Sequence, residues 1–258
     1  MWFKIKLYIL FLLKSTNKHG VHSPFVFSLI TKCFNKKTST SKKKEFFKVK
    51  KWLLKDKTII QVNDFGNGSK VFKTNKRKVC DIAKVAGIRN KNALLLIRLV
   101  NYFKPKTILE IGTSVGLSTS ALSIGNKYSD IITLEGCPNT ANSAKKLFEK
   151  FNFLNIKVIT GEFDKTLPNL INNQTFDFIF FDGNHTKQAT LKYFTTCLTN
   201  INNDTVFIFD DIHLTKEMYQ AWNIVKRHTK VTVTIDTFYW GIVFFRKEQA
   251  KQHFTIRI

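Results

Sequence analysis

Strand-length apolar runs alternate with longer amphipathic stretches from residue 105 onward. The runs lie at Thr107–Ile111, Ile131–Glu135, Ile156–Thr160, Phe176–Phe181 and Val206–Asp210. The stretches with helical spacing lie at Ser118–Ile124, Asn142–Phe151, Lys187–Thr199 and Thr215–His228. This alternation predicts βαβ units, in which helices cover both faces of a parallel sheet.

Two more apolar runs, Val231–Asp236 and Gly241–Phe245, are separated only by TFYW. A parallel crossover needs a much longer connection, so these runs predict an antiparallel hairpin at the end of the sheet.

The first hundred residues have a different pattern. Asn92–Phe103 has helical spacing and is ended by Pro105, whereas Thr38–Lys51 is typical of an exposed loop leading into a charged helix. DFGNGS (Asp64–Ser69) predicts a glycine-bearing turn or loop. We therefore predict a basic helical extension over residues 1–104 and an α/β domain over residues 105–258.

A glycine-bearing turn follows the first strand of the α/β domain. In TILEIGTSVGLSTSAL (Thr107–Leu122) the apolar run ends at Ile111, and a helix begins after Gly112 and Gly116. Its spacing, E-x-G-x-x-x-G from Glu110, differs from the dinucleotide-binding G-x-G-x-x-G. Glycines permit a tight turn and close backbone approach, while the start of the helix offers free N–H groups to a polar ligand.

This segment resembles motif I of the class I S-adenosylmethionine-dependent methyltransferases. The resemblance implies a Rossmann-like sheet of seven strands, mostly parallel with the last strand antiparallel, in the order 3-2-1-4-5-7-6. It also implies S-adenosylmethionine as cofactor, with the turn at its amino-acid end, Glu135 at its ribose, and Gly161, Glu162 and Asp164 near its adenine. The implied cofactor residues are Glu110, Gly112, Thr113, Ser114, Gly116, Ser118, Glu135, Gly161, Glu162 and Asp182.

The DGNH and FDDIH segments after strands four and five resemble the small-molecule O-methyltransferase branch of this family. The resemblance implies that Asp182, Asp210 and Asp211 bind a divalent cation, Mg²⁺ or Ca²⁺, although the family pattern has Asn where this chain has Asp211. Without a metal, repulsion between the crowded carboxylates would raise the pKa of one of them, and that carboxylate could act as a base. The predicted catalytic residues are Asp182, His185 and Asp210, and His213 lies at a comparable strand end. Acids at strand ends also often do no more than cap the next helix.

The positive charge is concentrated in the first hundred residues. They contain 24 of the 42 Lys and Arg residues and 4 of the 18 Asp and Glu residues, a net charge of +20 against +4 for the remainder. This surplus would attract nucleic acid through residues 1–100. Of the basic residues 36 are Lys and 6 are Arg, the pattern expected from AT-rich coding DNA, and Arg is the better residue for bidentate phosphate contacts.

The segment from residue 2 to residue 14 combines Trp, Phe and Leu with flanking Lys. It would suit peripheral contact with a membrane, and the alternative is an ordinary helix packed on the domain. We reject a cleaved signal peptide because no small-residue cleavage site follows. The four scattered Cys residues predict reduced thiols. The expected location is therefore the cytoplasm, or the periphery of the inner membrane.

Three segments resemble a group of bacterial methyltransferases of Bacteroidetes type: KHGVHSPFVF (Lys18–Phe27), DFGNGSKVFK (Asp64–Lys73) and KQHFTIRI (Lys251–Ile258). The first hundred residues would form either a lid, with His19 and His22 at the substrate, or an appendage packed on the sheet. The function predicted from the sequence is methylation of a small-molecule hydroxyl. The alternatives are RNA methylation and a non-catalytic binding protein with this fold.

Overall fold

The computed structural model describes residues 2–63, 72 and 74–258 of the chain. The chain divides into two compact units, one made of Met1–Asn35 with Leu167–Ile258 and the other of Lys36–Thr166. The predicted turn at Asp64–Ser69 lies outside the described residues, as does DFGNGSKVFK except for Phe72. The boundary between the basic helical extension (residues 1–104) and the α/β domain (residues 105–258) stays a prediction.

In the described part of the chain, the α-helices are α1 (Trp2–Lys14), α2 (Pro24–Leu29), α3 (Thr40–Leu53), α4 (Val79–Val85), α5 (Asn90–Phe103), α6 (Leu117–Gly125), α7 (Pro138–Lys150), α8 (Phe163–Asn173), α9 (Lys187–Cys197) and α10 (Lys216–Arg227). The strands are β1 (Ile59–Gln61), β2 (Lys76–Lys78), β3 (Thr107–Ile111), β4 (Asp130–Glu135), β5 (Ile156–Thr160), β6 (Phe178–Phe181), β7 (Val206–Phe209), β8 (Val233–Asp236), β9 (Gly241–Phe244) and β10 (Gln252–Thr255). Short 3-10 turns lie at Lys18–Gly20 and Leu198–Asn200, and a π-helical turn at Ile30–Phe34 follows α2.

Eight strands form the main sheet, in the order β10-β8-β9-β7-β6-β3-β4-β5, and β1 pairs with β2 in a separate hairpin. With β3 counted as the first strand, the seven strands other than β10 follow the predicted order 3-2-1-4-5-7-6. β9 is antiparallel to β7 and β8, whereas β4 is parallel to β3 and β5, and β6 is parallel to β7. The predicted α/β fold class is therefore confirmed.

The predicted strand count of seven is wrong, because β10 adds an eighth strand at one edge. Its residues pair in parallel with β8, with Gln252 opposite Val233. Thr16 extends this edge through its N–H, which donates to the Thr255 carbonyl (2.9 Å). An edge strand need not be apolar, and Gln252 and His253 are exposed, so this strand has no hydrophobic run that the sequence could reveal.

Two helices also depart from the sequence-based reading. α3 already begins at Thr40, where an exposed loop was predicted, because Ser39 caps it and Phe46, Val49 and Leu53 form a buried stripe. α8 was not predicted, since Pro168 interrupts its sequence. The helix runs through Pro168 and buries Leu167 and Ile171 on one side.

The core of the Lys36–Thr166 unit is built around β3 and α6. Four of the five residues of β3 are buried, and every residue of α6 is buried, as expected for elements in the middle of an α/β sandwich. In the other unit, β6, β7 and β9 are buried along their whole lengths. These buried strands fix the positions of the loops that follow them.

Candidate functional site

The glycine loop, residues 112–116, connects β3 to α6 in the Lys36–Thr166 unit. The N–H groups of Gly112 and Thr113 both donate to the Leu134 carbonyl at the end of β4, at 3.0 Å each. Gly116 N–H closes the turn on the Thr113 carbonyl (2.9 Å). The backbone of this loop is thereby held to the neighbouring strand before any ligand is bound.

Left-handed backbone conformations shape the glycine loop. Gly112 has φ 110° and Gly116 has φ 85°, values that favour glycine, and Ser114 has φ 50°. A Cβ atom on Gly116 would lie 2.7 Å from Cε1 of Phe148 on α7. Gly116 is therefore required both for its conformation and for the close approach of the glycine loop to α7.

Glu110, on β3 two residues before the glycine loop, has no exposed surface. Its Oε2 accepts hydrogen bonds from Thr119 Oγ1 (2.5 Å) on α6 and from Thr133 Oγ1 (2.6 Å) on β4. Burial raises the pKa of this carboxyl to about 7, while hydrogen bonds from the neighbouring hydroxyls of Ser118, Thr119 and Thr133 act in the opposite direction. At this depth Glu110 supports the loop and joins three elements.

Glu135 at the end of β4 is half-buried and holds the backbone on both sides of it. Its Oε2 accepts from Ser114 N–H (2.7 Å) in the glycine loop, and its Oε1 accepts from Cys137 N–H (2.9 Å) at the start of α7. The Glu135 carboxylate thereby fixes the spacing between the glycine loop and the start of α7. Ser114 and Glu135 are the partly exposed polar residues of this region.

The other predicted cofactor residues of this unit differ in how far they are exposed to solvent. Thr113 and Ser118 are buried, and Thr113 Oγ1 is 2.6 Å from Thr133 Oγ1. Gly161 follows β5 with φ 152°, and its N–H donates to the Glu135 carbonyl (2.9 Å). Glu162 is exposed and pairs with Lys165 at 3.2 Å.

The other unit contains a cluster of ligand-type side chains, the acid–histidine group formed by Asp182, His185 and Asp210. One ligand atom from each residue lies within 4.8 Å of the other two, and all three residues are half-buried. His185 Nε2 is 3.6 Å from Asp182 Oδ1. The structure thus brings together the three residues predicted to be catalytic.

Asp210 in the acid–histidine group has a raised pKa. Burial, followed by the negative charge of Asp211, raises its pKa to about 6, and His185 and Trp240 act in the opposite direction. Trp240 Nε1 donates to Asp210 Oδ1 at 2.6 Å. Trp240 lies in the turn between β8 and β9, 30 residues along the chain, and no local pattern in the sequence links it to Asp210.

Asp211 was a predicted metal ligand but is not part of the acid–histidine group, in which His185 is the third member. Asp211 has φ 52°, a left-handed conformation, at the turn that follows β7. Its role stays a prediction.

His213, which lies at the same strand end in the sequence, belongs to a separate cluster. It is buried, and its Nε2 is 2.9 Å from Asp236 Oδ2. Asp236 also accepts from Trp222 Nε1 (3.2 Å) and from Phe238 N–H (2.8 Å). The ring of His213 stacks on Phe238 with centroids 5.0 Å apart. These contacts place His213 in a buried cluster with Asp236 and Phe238, apart from the acid–histidine group.

Residues 109–212 match the family model of a methyltransferase domain. No curated protein matches the chain. Among solved structures, an SAH-bound methyltransferase of Podospora anserina is similar with 18% identity and a TM-score of 0.60, over 79% of this chain and 88% of that one. An O-methyltransferase of Bacillus cereus in complex with SAH has 20% identity and a TM-score of 0.55, over 80% and 91%. The SAM complex of an O-methyltransferase of tomaymycin synthesis from Streptomyces achromogenes has 20% identity and a TM-score of 0.56, over 63% and 82%.

These matches confirm the predicted resemblance to a methyltransferase domain over residues 109–212 and the fold that class I methyltransferases share. The cofactor predicted from the sequence agrees with the SAM and SAH found in these neighbouring structures. In the described part of the chain, no helix combines the length and apolar character needed to cross a membrane. Location stays a prediction.

Proposed function

We propose that this protein transfers a methyl group from S-adenosylmethionine to an oxygen atom of a small molecule. The proposal depends most on Glu135, whose carboxylate holds the glycine loop through Ser114 and the start of α7 through Cys137. This arrangement keeps a partly exposed carboxylate beside a fixed backbone turn. A ligand with two adjacent hydroxyls, such as a ribose, would donate hydrogen bonds to this carboxylate, because a carboxylate only accepts.

The start of α6 complements Glu135 as a cofactor-binding element. No side chain caps this helix, because its N-cap residue is Gly116. The first N–H groups of an α-helix have no partner within the helix, and the helix dipole favours negative charge there. The cofactor's carboxylate would suit this end of the helix, and Glu110 would act as a positioning residue that keeps the loop in place.

The acid–histidine group supplies the chemistry expected at a methyl acceptor. Bound S-adenosylmethionine supplies an electrophilic methyl group on a sulfonium. Transfer to a hydroxyl forms an O–C bond and breaks the S–C bond, and the hydroxyl proton must be taken up. His185 and the carboxylates of Asp182 and Asp210 offer acceptors for that proton within a few ångströms of one another.

The same group fits a divalent cation. Two carboxylates suit hard cations such as Mg²⁺ and Ca²⁺, and the imidazole adds a nitrogen donor that Mn²⁺ and other transition metals accept. Asp182, His185 and Asp210 would hold the ion, which would polarise the acceptor hydroxyl and make its proton easier to remove. An acid whose pKa is raised by burial and by a neighbouring acid also favours a positive ion beside it.

The test is methyl transfer from radiolabelled S-adenosylmethionine to separated metabolite, lipid, protein and RNA fractions of a cell extract. We expect label in the metabolite fraction and its loss in Asp182→Asn and His185→Gln variants, whereas the exposed control Asp130→Asn keeps activity. Label confined to RNA would instead identify an RNA methyltransferase. Cofactor binding without transfer to any fraction would indicate a non-catalytic protein.

A second arm of this assay tests the metal. Treatment with EDTA followed by addition of Mg²⁺, Ca²⁺ or Mn²⁺ should remove and then restore transfer if the acid–histidine group uses an ion. Full activity in EDTA, with no metal found by elemental analysis, would leave proton transfer as the role of these residues.

A further inference from the structure

We propose that helix α1 docks the protein on an anionic membrane surface. This inference goes beyond the proposed methyl transfer and does not depend on it. It comes from the side of α1 that faces away from its packing contacts.

The inner side of α1 is well packed in its own unit. Leu7 and Phe11 are buried in a cluster with Phe238, and the rings of Phe11 and Phe238 lie 5.5 Å apart. Phe3 contacts the ring of Tyr219 edge-on at 6.3 Å. These contacts hold the helix in place, so its remaining surface is a fixed feature of the fold.

The outer face of α1 is apolar and exposed. It consists of Trp2, Ile5, Ile9, Leu12 and Leu13, with exposed fractions of 83%, 44%, 52%, 37% and 78%. At 3.6 residues per turn these positions fall within an arc of about 100°, opposite Leu7 and Phe11. The apolar face of a helix is normally turned toward the core, whereas this face of α1 is exposed.

No other described element exposes so much apolar surface. Fourteen large hydrophobic side chains are exposed in the described part of the chain, and seven of them belong to α1, including Tyr8 and Leu10. Contiguous exposed apolar patches of this kind mark interaction sites, whereas single exposed side chains are ordinary.

The charge around the outer face favours an anionic bilayer as the occupant. Lys6 and Lys14 on α1 are exposed, and residues 1–35 contain five Lys and no Asp or Glu. A helix with a Trp- and Leu-rich face flanked by Lys lies in the membrane interface, where the apolar face enters the headgroup region and the lysines meet anionic lipids.

The distribution of charged residues also makes a second copy of the chain, or RNA, a less favourable partner for the outer face of α1. A symmetric pair of chains would bring identical patches together, and residues 1–35 offer no acid to meet the partner's lysines. RNA is held chiefly by Lys and Arg contacts to phosphates, and the arc of the outer face contains neither residue.

The test is flotation of the full chain with vesicles of phosphatidylcholine containing roughly one quarter phosphatidylglycerol, compared with vesicles of phosphatidylcholine alone. We expect the protein to float with the anionic vesicles and much less with the neutral ones. The double variant Ile9→Gln, Leu13→Gln should bind at least about tenfold more weakly. The control Tyr128→Gln, Leu154→Gln, at positions 95% and 86% exposed outside α1, should bind like the wild type.

Two further measurements separate the electrostatic contribution to vesicle binding from the insertion of the apolar face. Lys6→Gln with Lys14→Gln should weaken binding to anionic vesicles, whereas the exposed pair Lys145→Gln with Lys146→Gln on α7 should not. Tryptophan fluorescence should shift to the blue on binding, and Trp2→Phe should remove that shift. Thermal unfolding of each variant checks that the fold is intact.

The proposal is overturned if the wild type stays in the aqueous fraction or if the outer-face variant floats like the wild type. It is equally overturned if sedimentation equilibrium finds a dimer that Ile9→Gln, Leu13→Gln dissociates in the absence of vesicle binding. Loss of RNA affinity in that variant, with vesicle binding unchanged, would assign the face to RNA.

Discussion

The glycine loop and the acid–histidine group differ in how their polar atoms are satisfied. In the loop, backbone N–H groups and the Glu135 carboxylate already pair with one another, so the geometry is complete without a ligand. In the acid–histidine group, half-buried acids lie near one another and near Asp211, and the pKa of Asp210 is raised. The backbone of the first region is held by hydrogen bonds within the protein, whereas the second region gathers acidic side chains at half-buried positions.

Gly116→Val should have the largest effect on stability and cofactor binding, because the glycine loop is held in one conformation without a ligand. The left-handed conformation and the 2.7 Å approach to Phe148 together should cost about 4 kcal/mol of stability and prevent cofactor binding. Thermal unfolding and calorimetry measure both effects. Adding Phe148→Leu should recover the part caused by overlap, and a stable Gly116→Val protein that binds cofactor would contradict the description of the loop.

The buried carboxyl of Glu110 predicts a pH dependence of stability. Because the folded-state pKa of Glu110 is raised from 4.5 to about 7, the folded state holds the proton more tightly than the unfolded chain. Its contribution to stability is therefore fully present below pH 4.5 and decreases as pH rises toward 7, by up to about 3 kcal/mol. Glu110→Gln should remove this dependence in urea unfolding measured across that range. The exposed control Glu149→Gln should behave like the wild type, and equal slopes for both variants would refute the burial argument.

Because Glu135 holds the glycine loop and the start of α7, its substitution should weaken cofactor binding while the protein still folds. Removal of its hydrogen bonds to Ser114 and Cys137 in Glu135→Ala should weaken cofactor binding about 30-fold, roughly 2 kcal/mol. Calorimetry with S-adenosylmethionine measures this change, with Glu149→Ala as the control. An unchanged dissociation constant would mean that the carboxylate neither holds the loop for the ligand nor meets it.

The smallest predicted effect concerns the acid–histidine group. Trp240→Phe removes the hydrogen bond to Asp210 and should change divalent-cation affinity about fivefold, roughly 1 kcal/mol. Trp222→Phe removes a comparable hydrogen bond to Asp236 and serves as the matched control. Equal effects of the two substitutions on cation titrations would indicate a general loss of packing instead of a specific contact.

Much of the fold was predictable because it depends on local patterns. The helix predicted at Asn92–Phe103 is α5 with two more residues at its start, and the strand predicted at Thr107–Ile111 is β3. The reversed strand was predictable because TFYW is too short for a crossover. β10 and α8 were not, since one is a polar edge strand and the other contains Pro168.

The sequence by itself determined the succession of strands and helices and the residue types at the strand ends, because periodicity and turn chemistry are encoded in neighbouring residues. Only the tertiary structure decided which atoms these residues meet. It buried Glu110 completely, turned the Glu135 carboxylate toward two backbone N–H groups, grouped His185 with Asp182 and Asp210, and brought Trp240 to Asp210 from 30 residues away. Burial and hydrogen bonding between distant residues depend on how the elements pack, and no local pattern in the chain specifies that.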